Sequence, residues 1–158
     1  MKILFLVLSI TLSTPILSMA QSSNERTVVK NDTIITTEFL QSFADAFNAH
    51  DIKTIMSFMT EDCVFESSAG AQVDGEKFTG QEEVRKAFEN VFATFPDAHW
   101  GNAQHFISGN RGFSEWLFTG TKSDGTKVEV TGCDLFTFRH GKIAIKNSYR
   151  KNRISPLK

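Results

Sequence analysis

The chain has 158 residues, a formal net charge of −1 and 41% hydrophobic residues. That length suits a single domain with one hydrophobic core. The near balance of 17 basic and 18 acidic residues provides no basic surface of the kind that binds nucleic acid. The composition is unusual in having 15 Phe but only 1 Tyr, so aromatic bulk is plentiful and phenolic hydroxyls are nearly absent.

Residues 1–20 have the three-part pattern of a secretory signal peptide. Lys2 supplies the positive start, an apolar stretch runs to Leu17, and Ser18-Met19-Ala20 places small residues ahead of a cleavage site. A membrane anchor is the alternative, but a spanning helix needs about 20 apolar residues and this run is shorter. We therefore predict that the signal is removed near Ala20, and that the mature chain is exported to the periplasm or outside the cell, without a membrane segment.

Residues 21–36 are polar and weakly patterned, which predicts a linker or a loosely ordered segment before a domain at residues 37–158. Three helices are expected in the first half of that domain. Phenylalanines recur at four-residue spacing from Phe39 to Phe47, which is typical of an amphipathic helix. Asp51 suits the N-cap of a second, short helix. Thr79 and Glu82 have capping-box spacing and open a third helix, which Pro96 ends.

The strands are predicted mainly in the second half of the domain. A short strand at 63–67 precedes the third helix, and four further strands follow it, at 103–108, 112–121, 127–139 and 142–150. The last two strands are joined at His140-Gly141, a good two-residue hairpin turn. The order predicts a single α+β domain, with helices packed on one face of a curved, mostly antiparallel sheet.

Asp134 interrupts an otherwise apolar strand face. Within residues 128–138, every second residue is Val, Gly or Phe except this aspartate. Because alternate residues of a strand face opposite sides, the carboxylate is predicted to face the helices. A carboxylate loses its solvation there unless hydrogen-bond donors compensate. A buried, purely structural aspartate and a pocket residue are both compatible with this pattern.

The hairpin count supplies a predicted partner for that carboxylate. If Arg139 pairs with Lys142, counting back along both strands places Asp134 opposite Asn147. Tyr149 would then share the inward face with Asn147. A mostly apolar wall with a few convergent polar groups is typical of a small-molecule pocket.

Two cysteines, Cys63 and Cys133, are present. Export would place them where disulfides persist, but a domain of this size needs no cross-link, and the sequence favours two free thiols. Metal-binding spacings of the Cys-x-x-Cys or His-Glu-x-x-His kind do not occur in the sequence. We therefore predict neither a metal site nor a cofactor.

Three stretches resemble the SnoaL-like domain of the nuclear transport factor 2-like superfamily: FADAFNAHDIKTIMSFMTEDCVFESSAG, FTGQEEVRKAFENVFATFPD and GCDLFTFRHGKI. The likeness covers residues 38–150. It implies a cone, in which a strongly bent sheet wraps around three helices and a pocket opens at one end, and it implies frequent homodimers. The superfamily includes ketosteroid isomerases, polyketide cyclases, dehydratases and proteins of no known activity, so the fold does not define the chemistry.

The resemblance to ketosteroid isomerases can be followed position by position. That family uses a base Asp together with an oxyanion hole made of a Tyr and a protonated Asp. The oxyanion-hole Asp corresponds to Asp134, whereas the Tyr corresponds to Phe43 and the base corresponds to Ser67. A supporting Tyr corresponds to Phe88. Without a base within reach of its proton, ordinary ketosteroid isomerisation is not expected. The resemblance to polyketide cyclases implies that Asp134 could instead serve an aldol-type ring closure.

Three functions therefore remain open: an enzyme using Asp134 as a lone acid–base residue, a non-catalytic binder, and a dimerisation module with a filled cone. The replacement of Tyr by Phe favours the second and third, whereas a costly buried carboxylate argues against the third. We predict a protein, expected to be a homodimer, that binds a small, largely apolar molecule, with acid–base activity as the open question. Predicted ligand-binding residues are Asn147, Ser67, Phe43, Phe88, Trp116, Tyr149 and His105, of which His105 shares strand parity with apolar neighbours.

Overall fold

A computed structural model describes residues 34–153. The predicted signal peptide and most of the predicted linker lie outside these residues. The helices and strands in chain order are α1 Thr37–Asn48, α2 Ile52–Ser57, β1 Met59–Glu66, β2 Lys77–Thr79, α3 Gly80–Thr94, β3 His99–Ser108, β4 Arg111–Thr121, β5 Lys127–Arg139 and β6 Lys142–Arg150. Within residues 34–153, none of the helices is both long enough and apolar enough to cross a membrane.

The helix starts follow local chemistry, with one difference from expectation. Asp51 caps α2, because its carboxylate accepts a hydrogen bond from the backbone N–H of Thr54 at 3.0 Å. At α3, the Thr79 side chain makes no capping bond. The backbone N–H of Thr79 instead donates to Glu83 at 2.9 Å, so the predicted box with Glu82 is wrong by one residue. The apolar face of α1 is buried through Leu40, Phe43, Ala46 and Phe47.

The six strands form one sheet in the order β2-β1-β6-β5-β4-β3. β1 runs parallel to β6, and all other neighbours are antiparallel. The sheet is therefore mixed, the three helices pack against it, and the predicted α+β class is confirmed. β2 was not expected, and β1 and β3 each begin four residues earlier than predicted, at Met59 and His99.

Phenylalanine rings fill much of the space between the helices and the sheet. Phe43 packs edge-to-face against Phe47, Phe58 and Phe136, with ring centroids 5.0 to 5.9 Å apart. Phe88 lies against Phe47 at 4.9 Å. We call these five residues the phenylalanine core. Such edge-to-face pairs add stabilisation beyond the burial of their area.

Candidate functional site

Asp134 faces the helices, as strand parity predicts, and is 6% exposed. Its predicted cross-strand partner is wrong. The hairpin pair Arg139–Lys142 forms, but Ala144 is an extra residue on β6, since Ile143 and Ile145 pair with consecutive residues of β5. This bulge exchanges the inward and outward positions of the rest of β6. Asp134 therefore lies opposite Ser148.

Asn147 and Tyr149 consequently lie on the outer face of the sheet. Asn147 pairs with Leu135, and its side-chain amide donates to the Tyr149 hydroxyl at 3.2 Å. Tyr149 is 51% exposed. Neither residue lines the spaces between the helices and the sheet, so their prediction as pocket residues is corrected. Lys146 and Ser148 take the inward positions in their place.

Three donors surround the Asp134 carboxylate. Lys146 Nζ donates to Oδ1 at 2.7 Å, and Ser148 Oγ donates to the same oxygen at 2.6 Å. The Trp116 indole N–H donates to Oδ2 at 3.0 Å. The buried charge is thus paired with an ammonium and satisfied by two neutral donors, which is the condition under which a buried carboxylate is tolerated.

Gly132 allows Trp116 to reach this carboxylate. A Cβ atom at position 132 would lie 2.3 Å from the Trp116 ring and 2.4 Å from the Tyr149 carbonyl oxygen. Real Cβ atoms do not approach other atoms so closely. The absence of a side chain here therefore positions the indole, and through it the Asp134 hydrogen bond.

Sequence reasoning missed Lys146, which is 6% exposed. Its ammonium lies 5.1 Å from the ring centroid of Phe65 and 5.7 Å from that of Phe47, within cation–π range. It also donates to Ser148 Oγ at 2.7 Å. The available signal was the apolar run 143–145, which breaks strict alternation just before the lysine. Such a break is where a bulge can reverse strand parity.

A narrow space of about 30 Å³ lies between α1 and the sheet, and we call it the inner chamber. A volume of roughly 10–15 Å³ admits one water molecule, so the inner chamber has room for about two. It cannot hold a ring-sized ligand without rearrangement. Its walls include Phe43, Trp100, His105, Ser114, Asp134 and Lys146.

His105 points into the inner chamber. Its Nδ1 lies 2.7 Å from Ser114 Oγ, and its Nε2 lies 3.2 Å from Gln41 Oε1. The Gln41 amide nitrogen donates to Asp45 at 2.8 Å, which leaves Oε1 as the acceptor for the histidine. His105 therefore carries its proton on Nε2 and accepts from the Ser114 hydroxyl when neutral. Burial lowers the pKa of His105 below 6.5, and the charge of Asp45 opposes this in part.

A larger space of about 160 Å³, the outer chamber, lies between α3 and the sheet. An engineered apolar cavity of about 150 Å³ is known to hold benzene, so the outer chamber matches a single ring. Trp100, Trp116, Phe47 and Lys146 border both chambers. Of the predicted ligand-binding residues, Ser67, Phe88 and Trp116 meet in the outer chamber, while Phe43 and His105 lie in the inner one. Other outer-chamber residues are Phe65, Ser68, Phe95, Phe118, Ser148 and Arg150.

Both cysteines are free thiols in the structure. Cys63 is fully buried, and this burial raises the pKa of its thiol to about 11. Cys133 is half-buried and, as the residue next to Asp134 in β5, points to the other face of the sheet. Burial raises the pKa of its thiol, and the nearby carboxylates raise this pKa further. Neither thiol is activated as a nucleophile. Within residues 34–153, no group of three or more His, Cys, Asp or Glu side chains could hold a metal ion.

The family model for the SnoaL-like domain matches residues 40–145, and the chain belongs to this family. This confirms the resemblance found in the sequence. No curated protein matches the chain by sequence.

Solved structures share the fold. A nuclear transport factor 2-like protein of unknown function from Mesorhizobium loti is 26% identical, with a TM-score of 0.61 over 73% of this chain and 90% of its own. A provisionally assigned polyketide cyclase from Xanthomonas campestris is 18% identical, with a TM-score of 0.65 over 73% of this chain and 89% of its own. TerC, co-crystallised with polyporic acid, is 18% identical, with a TM-score of 0.63 over 73% of this chain and 90% of its own. The family match and these structures together establish the fold of the chain.

Proposed function

We propose that this protein binds a small, largely apolar molecule of about one ring in the outer chamber. The observation that carries the proposal is a space of about 160 Å³ whose walls are largely aromatic and include a few polar side chains, among them Lys146 and Ser148. Ligand pockets generally combine an apolar lining with a few placed polar groups that fix orientation. The family's association with small-molecule proteins supports the same assignment.

Binding fits the Asp134 geometry better than acid–base catalysis does. Three donors occupy the carboxylate, including the Lys146 ammonium at 2.7 Å. The carboxylate borders the inner chamber and not the outer one, so a ring in the outer chamber would not meet it first. A general base must reach the proton that it removes. The role that we assign to Asp134 is to hold Lys146 at the wall of the ligand site.

Intrinsic fluorescence tests this proposal directly. The chain contains two tryptophans, Trp100 and Trp116, and both border the outer chamber. Titration with single-ring compounds such as phenol, benzamide and benzoate should give a saturable change in emission. Ser67→Phe, which places a ring inside the chamber, should abolish that change. Ser123→Phe, in the exposed turn between β4 and β5, is the matched control and should leave it intact.

A compound panel without any saturable response would contradict the proposal. An identical response in wild type and Ser67→Phe would show that the compounds bind elsewhere. A ligand retained through purification would block the added compounds, and mass spectrometry of the native protein detects it. If unfolding releases this ligand and the refolded protein then binds the ring compounds, both occupy the outer chamber.

We also propose that the protein forms a homodimer through the outer face of its sheet. Phe106 and Tyr149 are 56% and 51% exposed there, and Phe113 lies beside Phe106 at 6.0 Å between ring centroids. Exposed apolar patches of this kind mark contact surfaces. Sedimentation equilibrium should show a dimer that Tyr149→Glu weakens. A wild-type monomer at all accessible concentrations would contradict this proposal.

A further inference from the structure

We propose that the outer chamber selects an anionic ring compound, such as an aromatic carboxylate, whose charge lies beside Lys146 and Arg150. This inference rests on the proposed function for the same chamber, and it specifies the ligand class. The charged side chains that line the chamber are all positive, and its serine hydroxyls can donate hydrogen bonds.

The residues lining the outer chamber include two cations and no Asp or Glu. Asp134 compensates Lys146, because the pair is joined at 2.7 Å. Arg150 forms no ion pair with any residue in the range 34–153. Glu66, on the neighbouring strand β1, is paired with Lys77 at 2.8 Å. The positive charge of Arg150 is therefore left uncompensated at the chamber wall.

Lys146 has one donor to spare. An ammonium carries three N–H groups. Two of them donate to Asp134 and Ser148, both at 2.7 Å. The third has no acceptor among the described residues, and Lys146 lines the outer chamber. An anionic ligand would supply that acceptor through a charge-assisted hydrogen bond, which is about twice as strong as a neutral one.

The remaining polar groups also suit an acceptor-rich ligand. Hydroxyls of Ser67 and Ser68 line the same chamber, and both can donate. Much of the remaining lining is aromatic and includes Phe65 and Phe88. A ring with one anionic substituent would place its apolar face against these rings and its charge against the two cations. A neutral ring would leave the spare Lys146 donor and the Arg150 charge without partners.

Benzoate and benzamide provide a matched pair of ligands. They have the same size and shape, but benzoate is ionised at pH 7. Titration followed by tryptophan fluorescence should give benzoate an affinity about tenfold higher, because a charge-assisted hydrogen bond is roughly twice as strong as a neutral one. The benzoate affinity should fall as salt is added, while the benzamide affinity should stay constant.

Arg150→Gln isolates the charge on an exposed side chain whose loss should not unfold the protein. We expect it to weaken benzoate binding about fivefold and to leave benzamide binding unchanged. Lys151→Gln is the matched control, since it removes the same charge one residue along, outside the outer chamber. It should change neither affinity.

The outcomes separate this inference from the proposed function. Equal affinities for benzoate and benzamide, with saturable binding of both, would overturn the anion selectivity and leave the ring-binding site intact. Equal losses in Arg150→Gln and Lys151→Gln would overturn the assigned role of Arg150, because a general charge effect would then explain both. The absence of binding for every ring compound would instead overturn the proposed function itself.

Discussion

The phenylalanine core and the outer chamber use the same residue type for opposite purposes. In the core, the Phe43 ring packs against three other rings, and one of these, Phe136, is 1% exposed. In the outer chamber, Phe65 presents its face to the Lys146 ammonium 5.1 Å away. Phe47 and Phe88 belong to both regions, since they pack against each other and also line the outer chamber. A site in this fold is therefore indicated by the buried lysine more than by the aromatic content.

The strongest way to break the core without touching the outer chamber is Phe136→Ala. Phe136 packs against Phe43 at 5.9 Å and Phe138 at 6.1 Å, and it does not line the outer chamber. We expect the free energy of unfolding to fall by about 4 kcal/mol, as for other large-to-small core substitutions. Urea denaturation measures the loss. Phe136→Leu, which keeps most of the volume, should cost clearly less.

Ring-compound affinity measured on folded Phe136→Ala should stay within about twofold of wild type, because Phe136 does not line the outer chamber. A stability loss below 1 kcal/mol would show that the core is loosely packed at this position. The comparison between a closed core and an open chamber would then fail.

Lys146→Met removes the buried cation that lines the outer chamber. Removing one partner of a buried ion pair leaves an uncompensated charge, which costs about 3–5 kcal/mol. We expect about 3 kcal/mol, because Asp134 keeps its bonds from Ser148 and Trp116 and water can enter the chamber. The double substitution Lys146→Met, Asp134→Leu should recover most of the loss. Urea denaturation of the two single variants and the double variant measures the coupling.

Additive effects in that cycle would show that Asp134 and Lys146 do not stabilise each other. Such a result would remove the assigned role of Asp134 as the residue that holds Lys146. It would also reopen the carboxylate to other functions.

Local sequence patterns predict much of the fold. The prediction of the site fails at one place, the bulge in β6. Strand parity predicts the inward direction of Asp134, because β5 keeps its period of two through the whole stretch from Val130 to Phe138. The Asp51 cap follows in the same way from a local side-chain preference. β2 was missed because a strand of three residues carries no measurable periodicity.

The partner of Asp134 could not be counted from the sequence. Counting from a hairpin assumes uninterrupted pairing, and the bulge at Ala144 invalidates every position beyond it. Asn147 and Lys146 therefore exchange faces, and a neutral amide partner becomes an ammonium. The same single residue explains why the predicted pocket included Tyr149 and omitted Lys146. The position of a bulge depends on packing between strands, so the alternation of apolar and polar residues does not predict it.

Gly132→Ala should disturb the wall of the outer chamber at Trp116 and leave the phenylalanine core intact. The added Cβ would meet the Trp116 ring at 2.3 Å and the Tyr149 carbonyl oxygen at 2.4 Å. Overpacking of this kind costs about 1–3 kcal/mol, and we expect about 2 kcal/mol. The indole must move away from Asp134, so tryptophan emission should shift as well. The control is Ser108→Ala, at an exposed position. Gly125→Ala is unsuitable, because Gly125 has a φ of +82°, a backbone conformation that strains other residues.

An unchanged emission spectrum in folded Gly132→Ala would show that Trp116 is not positioned by the glycine. The Trp116–Asp134 bond would then be maintained by the indole's other contacts. Loss of ring-compound binding together with a spectral shift would place the indole among the groups that shape the outer chamber.

The smallest effect is expected at His105, which lines the inner chamber. Burial lowers the pKa of His105 in the folded chain below its ordinary value of 6.5, so the unfolded chain takes up a proton first as the pH falls. The stabilising contribution of the neutral ring is therefore complete above pH 6.5 and is lost as the pH falls below it. Urea midpoints measured at pH 7.5 and pH 5.5 should differ more for wild type than for His105→Gln, after correction for the change common to both. The glutamine can keep a bond to Ser114 but cannot titrate, so the variant separates the effect of protonation from the effect of packing.

An equal pH dependence in the two proteins would mean that the folded ring protonates as easily as a free histidine. The bond from Ser114 would then have to reverse its direction, with His105 donating, and the inner chamber would admit water freely enough to solvate a charge.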